Sequence, residues 1–271
     1  MRLSRPVLWG VLNVTPDSFS DGGEFLSQDL AVAHAALLVE QGAAVIDVGG
    51  ESTKPGAQRV APEVEQERVI PVIEALTQRG YVVSIDTMNA STARAAIEAG
   101  ATIVNDVSGG LADSEMFSLV AGAGVDYVIM HWRGHSDVMD GLADYGDVAS
   151  EVRSELQERV ALAMEAGISA NRIILDPGVG FAKTPAHNWA LLSRIDEVIS
   201  LGHRVLVGAS RKRFLGELLP EGHAMTERDE PSAVLGVLLA ERGVWGLRVH
   251  NPLIHTRALD VWQALSEGSA Q

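Results

Sequence analysis

The sequence predicts an α/β protein, a single (β/α)8 TIM barrel with its active site at the C-terminal ends of the strands. Two observations carry this. Eight short apolar runs recur along the chain with amphipathic stretches between them. Each run ends at a polar residue: Asn13, Asp47, Asp86, Asn105, His131, Asp176, Ser210 and His250. Barrels of this class place their chemistry where the strands end, so eight polar tips imply one shared site. The 271 residues suit one such domain, taken here as residues 1–271.

The strands are expected over Val7–Asn13, Val45–Val48, Val82–Asp86, Ile103–Asp106, Tyr127–Met130, Ile173–Asp176, Val205–Val207 and Leu247–Val249. Each is apolar at nearly every position and rich in Val or Ile, as strands covered on both faces are. Helical patterns run over Leu30–Gln41, Glu63–Arg79, Ser91–Ala99 and Ser150–Ala166. They stop at Gly42, Gly80, Gly100 and Gly167, the residue type that ends helices most readily. Right-handed strand–helix–strand crossovers leave a closed barrel or an open wound sheet, and eight units favour closure. The connections Val14–Gln28, Gly49–Pro62, Trp132–Val148 and Arg211–Pro231 are long, as functional lids often are.

A net charge of −15 argues against general nucleic-acid binding. Any phosphate site must then be built locally from cations and backbone N–H groups. With no cysteine there is neither a disulfide nor a thiolate metal site, which is compatible with a cytoplasmic protein. No segment approaches the apolar length of a membrane span, and the first apolar run is too short for a signal peptide.

The most basic run, Ser210-Arg211-Lys212-Arg213, follows the seventh strand. If Ser210 caps a helix, three cations occupy its positive end, and a bound anion would offset the strain. Arg248 and His250, two residues apart on the eighth strand, point to the same side. The bland alternative is a solvated loop beside a structural histidine. Asp86, Asn105 and Asp176 present mostly acceptors, which suit the NH2 and N–H edge of an amino-pyrimidine. Capping of loops by Asp and Asn is the competing explanation for each one alone. The loops Asn13–Gly23 and Asp47–Ala57 combine Gly and Pro with hydroxyls, an amide and carboxylates, oxygen donors that fit Mg²⁺. His131 and His135 lack zinc spacing, and Gly178-Val179-Gly180-Phe181 is too short for a dinucleotide loop.

Seven segments in order resemble the dihydropteroate synthases of the pterin-binding family. They are Asn13–Gly23, Asp47–Ala57, Ser84–Thr87, Asn105–Gly110, Asp176–Lys183, Ser210–Arg213 and Arg248–His250. The wording at Met130–Trp132 and Ser210–Gly216 is similar to actinobacterial members. The resemblance implies condensation of 6-hydroxymethyl-7,8-dihydropterin pyrophosphate with 4-aminobenzoate, giving 7,8-dihydropteroate and pyrophosphate. Asp86, Asn105 and Asp176 would hold the pterin, with Lys212 at its carbonyl side and Met130 also in the substrate site. Asn13, Thr53, Arg248 and His250 would take the pyrophosphate, with Mg²⁺ at Asn13 and Lys54 contributing nearby. Phe19, Pro55, Phe181 and Lys212 would form the 4-aminobenzoate pocket. The resemblance further implies a homodimer acting on small molecules alone, with neither nucleic acid nor membrane as partner. Three positions depart from the family pattern: Lys54 for the usual Arg, Asn251 for the usual Asp, and Arg213 for a frequent Ser. Two other readings compete: a methyltetrahydrofolate-dependent methyltransferase, which would not need pyrophosphate cations, and a non-catalytic pterin-binding homologue.

Overall fold

A computed structural model describes residues 4–15, 24–51, 60–135 and 138–268. Its strands are β1 (Val7–Asn13), β2 (Val45–Gly49), β3 (Val83–Asp86), β4 (Ile103–Asp106), β5 (Asp126–Met130), β6 (Ile173–Asp176), β7 (Arg204–Val207) and β8 (Gly246–Val249). All neighbouring pairs are parallel, and β1 pairs with both β2 and β8, so the barrel closes. Closure leaves no strand edge open to another chain.

The helices are α1 (Glu24–Glu40), α2 (Pro62–Thr77), α3 (Ala90–Glu98), α4 (Met116–Ala123), α5 (Val148–Glu165), α6 (Pro185–Ser193), α7 (Asp196–Ile199), α8 (Arg213–Gly216), α9 (Asp229–Ala240) and α10 (Pro252–Gly268). The four expected stop glycines all take positive φ, Gly42 at 106° for example. Helix α1 starts before the expected Leu30. The stretch 211–231, expected as one long loop, contains α8, a short 3-10 turn and the start of α9. Among the described residues, no helix is long and apolar enough to cross a membrane.

Most of the core lies between strands and helices, with Ile46, Val48, Ile85, Ile129, Leu175 and Val207 facing outward onto them. A second, smaller cluster fills the barrel interior: Trp9, Val45, Ile103, Val128, Ile174 and Leu206. Side chains alternate along a strand, so residues two further on face the same interior, one layer nearer the C-terminal mouth. Those residues are Val11, Asp47, Asn105, Met130, Asp176 and Gly208. The same step from Ser84 and Gly246 reaches Asp86 and Arg248. An apolar plug thus passes, in one pleat, into a polar ring.

Candidate active site

Arg248 organises the ring. Its Nε donates to Asp47 Oδ2 at 2.6 Å, and an Nη atom donates to Asp86 Oδ2 at 2.7 Å. The Asn105 amide donates to the same Asp47 oxygen at 3.0 Å. Asp47, Asp86, Asn105 and Asp176 are all buried. Asp47 Oδ1 and the hydroxyl of its register neighbour Ser84 lack partners among the described residues. Burial opposes the charge on Arg248, but Asp47 and Asp86 hold its pKa above the ordinary value. Burial pushes the Asp86 carboxyl up, Arg248 opposes the rise, and Asp47 adds to it.

Asp176 lies across the ring. Its Oδ1 accepts from Gly178 N–H at 2.7 Å. Burial raises its pKa, and the cations Lys212 and Arg248 act against that rise. A Cβ built on Gly208 would stand 3.7 Å from Asp176 Oδ2 and 3.8 Å from Arg248 Cβ, so Gly208 lies between this carboxylate and this cation. Lys212 completes the group. Its Nζ donates to the Val179 carbonyl and sits 4.4 Å from the centroid of the Phe181 ring. Burial lowers the Lys212 pKa to about 8, against the pull of Asp176.

The loop after β6 wraps this lysine, and two glycines let it do so. Gly178 has φ 66°, and a Cβ there would collide with the His131 carbonyl. Gly180 has φ 79°, and a Cβ there would stand 2.8 Å from Lys212 Cδ. An L-residue at either position would meet both strain and steric conflict.

The basic run differs from its expected form. Ser210 is not a helix cap: α8 follows Lys212, which makes no side-chain cap bond. Of its three cations only Lys212 enters the site. Arg211, at φ 60°, turns away and bonds both oxygens of Asp229 at 2.7 and 2.9 Å, while Arg213 is exposed. The physical reason is that Asp229, 18 residues later, offers Arg211 a two-point partner that a helix N-terminus cannot match. Asn251, one of the three departures, donates to the same Asp229 at 3.2 Å. An aspartate there would face a carboxylate instead.

Ser210 instead supports His250, meeting its backbone N–H at 3.2 Å and its Nδ1 at 3.1 Å. Burial, with Arg248 and Arg211 adding, lowers the His250 pKa to about 3, so the ring is neutral at pH 7. Asn13 is exposed at the mouth. Its Oδ1 would lie 3.7 Å from a Cβ on Gly49, which would also stand 3.6 Å from Asp86 Oδ2. Met130 pairs in register with Asp176. The structure therefore brings Asn13, Asp86, Asn105, Met130, Asp176, Phe181, Lys212, Arg248 and His250 to one end of the barrel. Phe19, Thr53, Lys54 and Pro55 lie outside the described residues. Sequence reasoning placed Asp47 and Ser210 among the polar tips but gave neither its partner: Arg248 and Asn105 for Asp47, His250 for Ser210. The two-residue step from Val45 could have shown that Asp47 faces the barrel interior.

Comparison with known proteins agrees with this geometry. The profile of the family described as "Pterin binding enzyme" matches residues 9–250. The dihydropteroate synthase of Mycobacterium leprae (strain TN) is 49% identical over 266 residues, covering 96% of this chain and 94% of that protein. The Xanthomonas albilineans dihydropteroate synthase solved with 4-aminobenzoic acid superposes with TM-score 0.90 at 43% identity, covering 98% of this chain and 94% of the other. The same enzyme in complex with 7,8-dihydropteroate gives 0.87 at 41%, covering 98% and 95%. The chain belongs to the pterin binding enzyme family, among the dihydropteroate synthases.

Proposed function

We propose that this chain condenses 6-hydroxymethyl-7,8-dihydropterin pyrophosphate with 4-aminobenzoate, and that the ring at the barrel mouth divides the work between heterocycle and leaving group. The observation that carries this is the clustering of Asp86 and Asp176 with Lys212 and Arg248 at one end of the barrel. A methyltransferase acting on a folate has no diphosphate to draw off, so the cations would have no task.

Asp86, Asn105 and Asp176 take the amino-pyrimidine edge, Lys212 the carbonyl side, and Met130 closes one flank. Arg248, His250 and Asn13 take the diphosphate, a role the family resemblance extends to Thr53 and Lys54. Phe181, Lys212, Phe19 and Pro55 form the amine pocket. His250 is neutral before substrate arrives, so it meets the diphosphate as a hydrogen-bond donor until that charge raises its pKa. In the reaction the bond between the pterin methylene carbon and the diphosphate oxygen breaks, and its electron pair leaves with the oxygen. The amine nitrogen supplies a lone pair to the methylene carbon, and one N–H proton goes to solvent. Positive charge grows on the pterin, where two carboxylates tolerate it. Negative charge grows on the leaving oxygen, where fixed cations act most strongly. Excluding water while the methylene is electrophilic prevents its capture.

The Asn13 amide oxygen fits as one of the few protein ligands Mg²⁺ takes, since that ion keeps waters and binds substrate phosphates. When bound, Mg²⁺ supplies neutralisation of the departing diphosphate.

We also infer a homodimer in the cytoplasm, one pterin-binding barrel over residues 1–271 per protomer. Val234 and Leu238 on α9, with Val261 on the adjoining α10, are exposed apolar residues that a second copy could cover. The substrates are small molecules, and the acidic surface gives no reason to expect nucleic acid or membrane.

Pyrophosphate release tests the reaction. With Mg²⁺ and the pterin pyrophosphate, release should require 4-aminobenzoate and match dihydropteroate formed one to one. Release independent of the amine would make the chain a hydrolase. Bound pterin with no release at all would make it a binding protein.

A further inference from the structure

Lys183 is a buried lysine to which the roles above give no task. Its ammonium has three N–H groups and three acceptors: His131 Nδ1 at 2.9 Å, the Gly178 carbonyl at 3.1 Å and the Phe181 carbonyl at 3.1 Å. An ammonium only donates, so His131 accepts at Nδ1 and carries its proton on Nε2. That proton goes to Glu155 Oε2 on α5, at 2.9 Å. Glu155 is held in turn by Arg133, at 2.5 Å, and the Arg133 guanidinium lies 3.8 Å from the centroid of the Tyr145 ring. A row of three side chains thus runs from the loop after β6 to α5, with Arg133 beyond it.

The loop is gripped from two directions. Lys212 takes the Val179 carbonyl, while Lys183 takes the carbonyls of Gly178 and Phe181 on either side. Without Lys183 the buried His131 nitrogen and the part-buried Phe181 carbonyl would lose this donor, and the Gly178 carbonyl would keep only the Phe181 N–H at 3.1 Å, so the loop would have to adjust to satisfy them. Phe181 and the Val179 carbonyl would move with it. Burial, with Lys212 adding, pulls its pKa down to about 7, so holding its charge carries a desolvation cost that the three acceptors around it offset in part.

We propose that Lys183, carried on His131 and Glu155, is a positioning residue for the condensation: it sets the Gly178–Phe181 loop so that Phe181 meets the aromatic amine. The inference rests on the assignment of Phe181 to the amine pocket. The test compares Lys183→Met, His131→Gln, Glu155→Gln and Phe181→Ala in the full chain. It reads KM for each substrate, kcat and the thermal midpoint. Loss of the buried donor should raise KM for 4-aminobenzoate about tenfold in Lys183→Met, with KM for the pterin pyrophosphate changing less than about threefold. His131→Gln should show the same split, smaller, and it serves if Lys183→Met does not fold. Glu155→Gln keeps an acceptor for the His131 proton and should stay near the parent. An unchanged amine KM in Lys183→Met, beside a raised one in Phe181→Ala, would overturn this inference alone. Equal rises for both substrates in Lys183→Met and His131→Gln would also overturn it, as general loosening. An unchanged amine KM in Phe181→Ala would sink the pocket assignment, and the inference with it.

Discussion

Arg248→Met removes the one guanidinium that two buried carboxylates share. Asp47 would keep only the Asn105 amide as a side-chain donor, and Asp86 would lose its 2.7 Å partner. Breaking a buried ion pair from one side costs about 3–5 kcal/mol, because the remaining charge stays buried. The Arg248 side chain is 20% exposed, so solvent offers some relief and the lower end, about 3 kcal/mol, is expected. Part of the loss would show as titration, since the main charge that offsets the burial raising Asp86 would be gone. Urea unfolding at pH 7 measures the loss as a lower midpoint with the denaturant slope unchanged. A second variant isolates the cause. Arg248→Met combined with Asp47→Asn should be more stable than Arg248→Met alone, because one unpaired charge is gone. A loss under about 1 kcal/mol, or two losses that simply add, would refute this reasoning about the ring.

Two further predictions follow from the same geometry. Gly180→Ala places a Cβ against the Lys212 stem at positive φ, so it should cost about 1 kcal/mol of stability and a larger share of kcat/KM; a variant with parental kinetics would show that the stem moves freely. Lys183 and Lys212 have folded pKa values of about 7 and about 8, below the ordinary 10.5. The unfolded chain therefore holds protons in that window which the folded chain gives up. These groups add stability as pH rises from about 7 towards 10, with a slope approaching ~1.4 kcal/mol per pH unit for each. Over the same range kcat/KM should fall, as Lys212 loses its charge. A urea midpoint that rises from pH 7 to 9 in the parent, and rises less in Lys183→Met, checks the sign; a midpoint that falls would contradict it.

Much of the barrel was legible because strands covered on both faces read as unbroken apolar runs, and because helices here stop at glycine. The ring residues Asp86, Asn105 and Asp176 were legible for the same reason, since each ends such a run, and Arg248 was legible as the residue two before the run end His250. What stayed hidden depends on partners distant in sequence. Arg211 looked like a site cation until Asp229 was seen to bind it. Lys183 carried no role in the sequence reading, and only the fold brings His131 and the backbone carbonyls around it. Asp47 was legible as one of the eight polar tips, but only the fold shows that it takes Arg248 and the Asn105 amide.

The central claim is that carboxylates hold the heterocycle while a separate set of groups holds the diphosphate. The most direct measurement is calorimetric affinity for 6-hydroxymethyl-7,8-dihydropterin and for its pyrophosphate, in Asp176→Ala and His250→Ala. Asp176→Ala should weaken both ligands by a similar factor, on the order of 1–3 kcal/mol. His250→Ala should weaken only the pyrophosphate. Unchanged affinity of Asp176→Ala for the bare pterin would contradict the account.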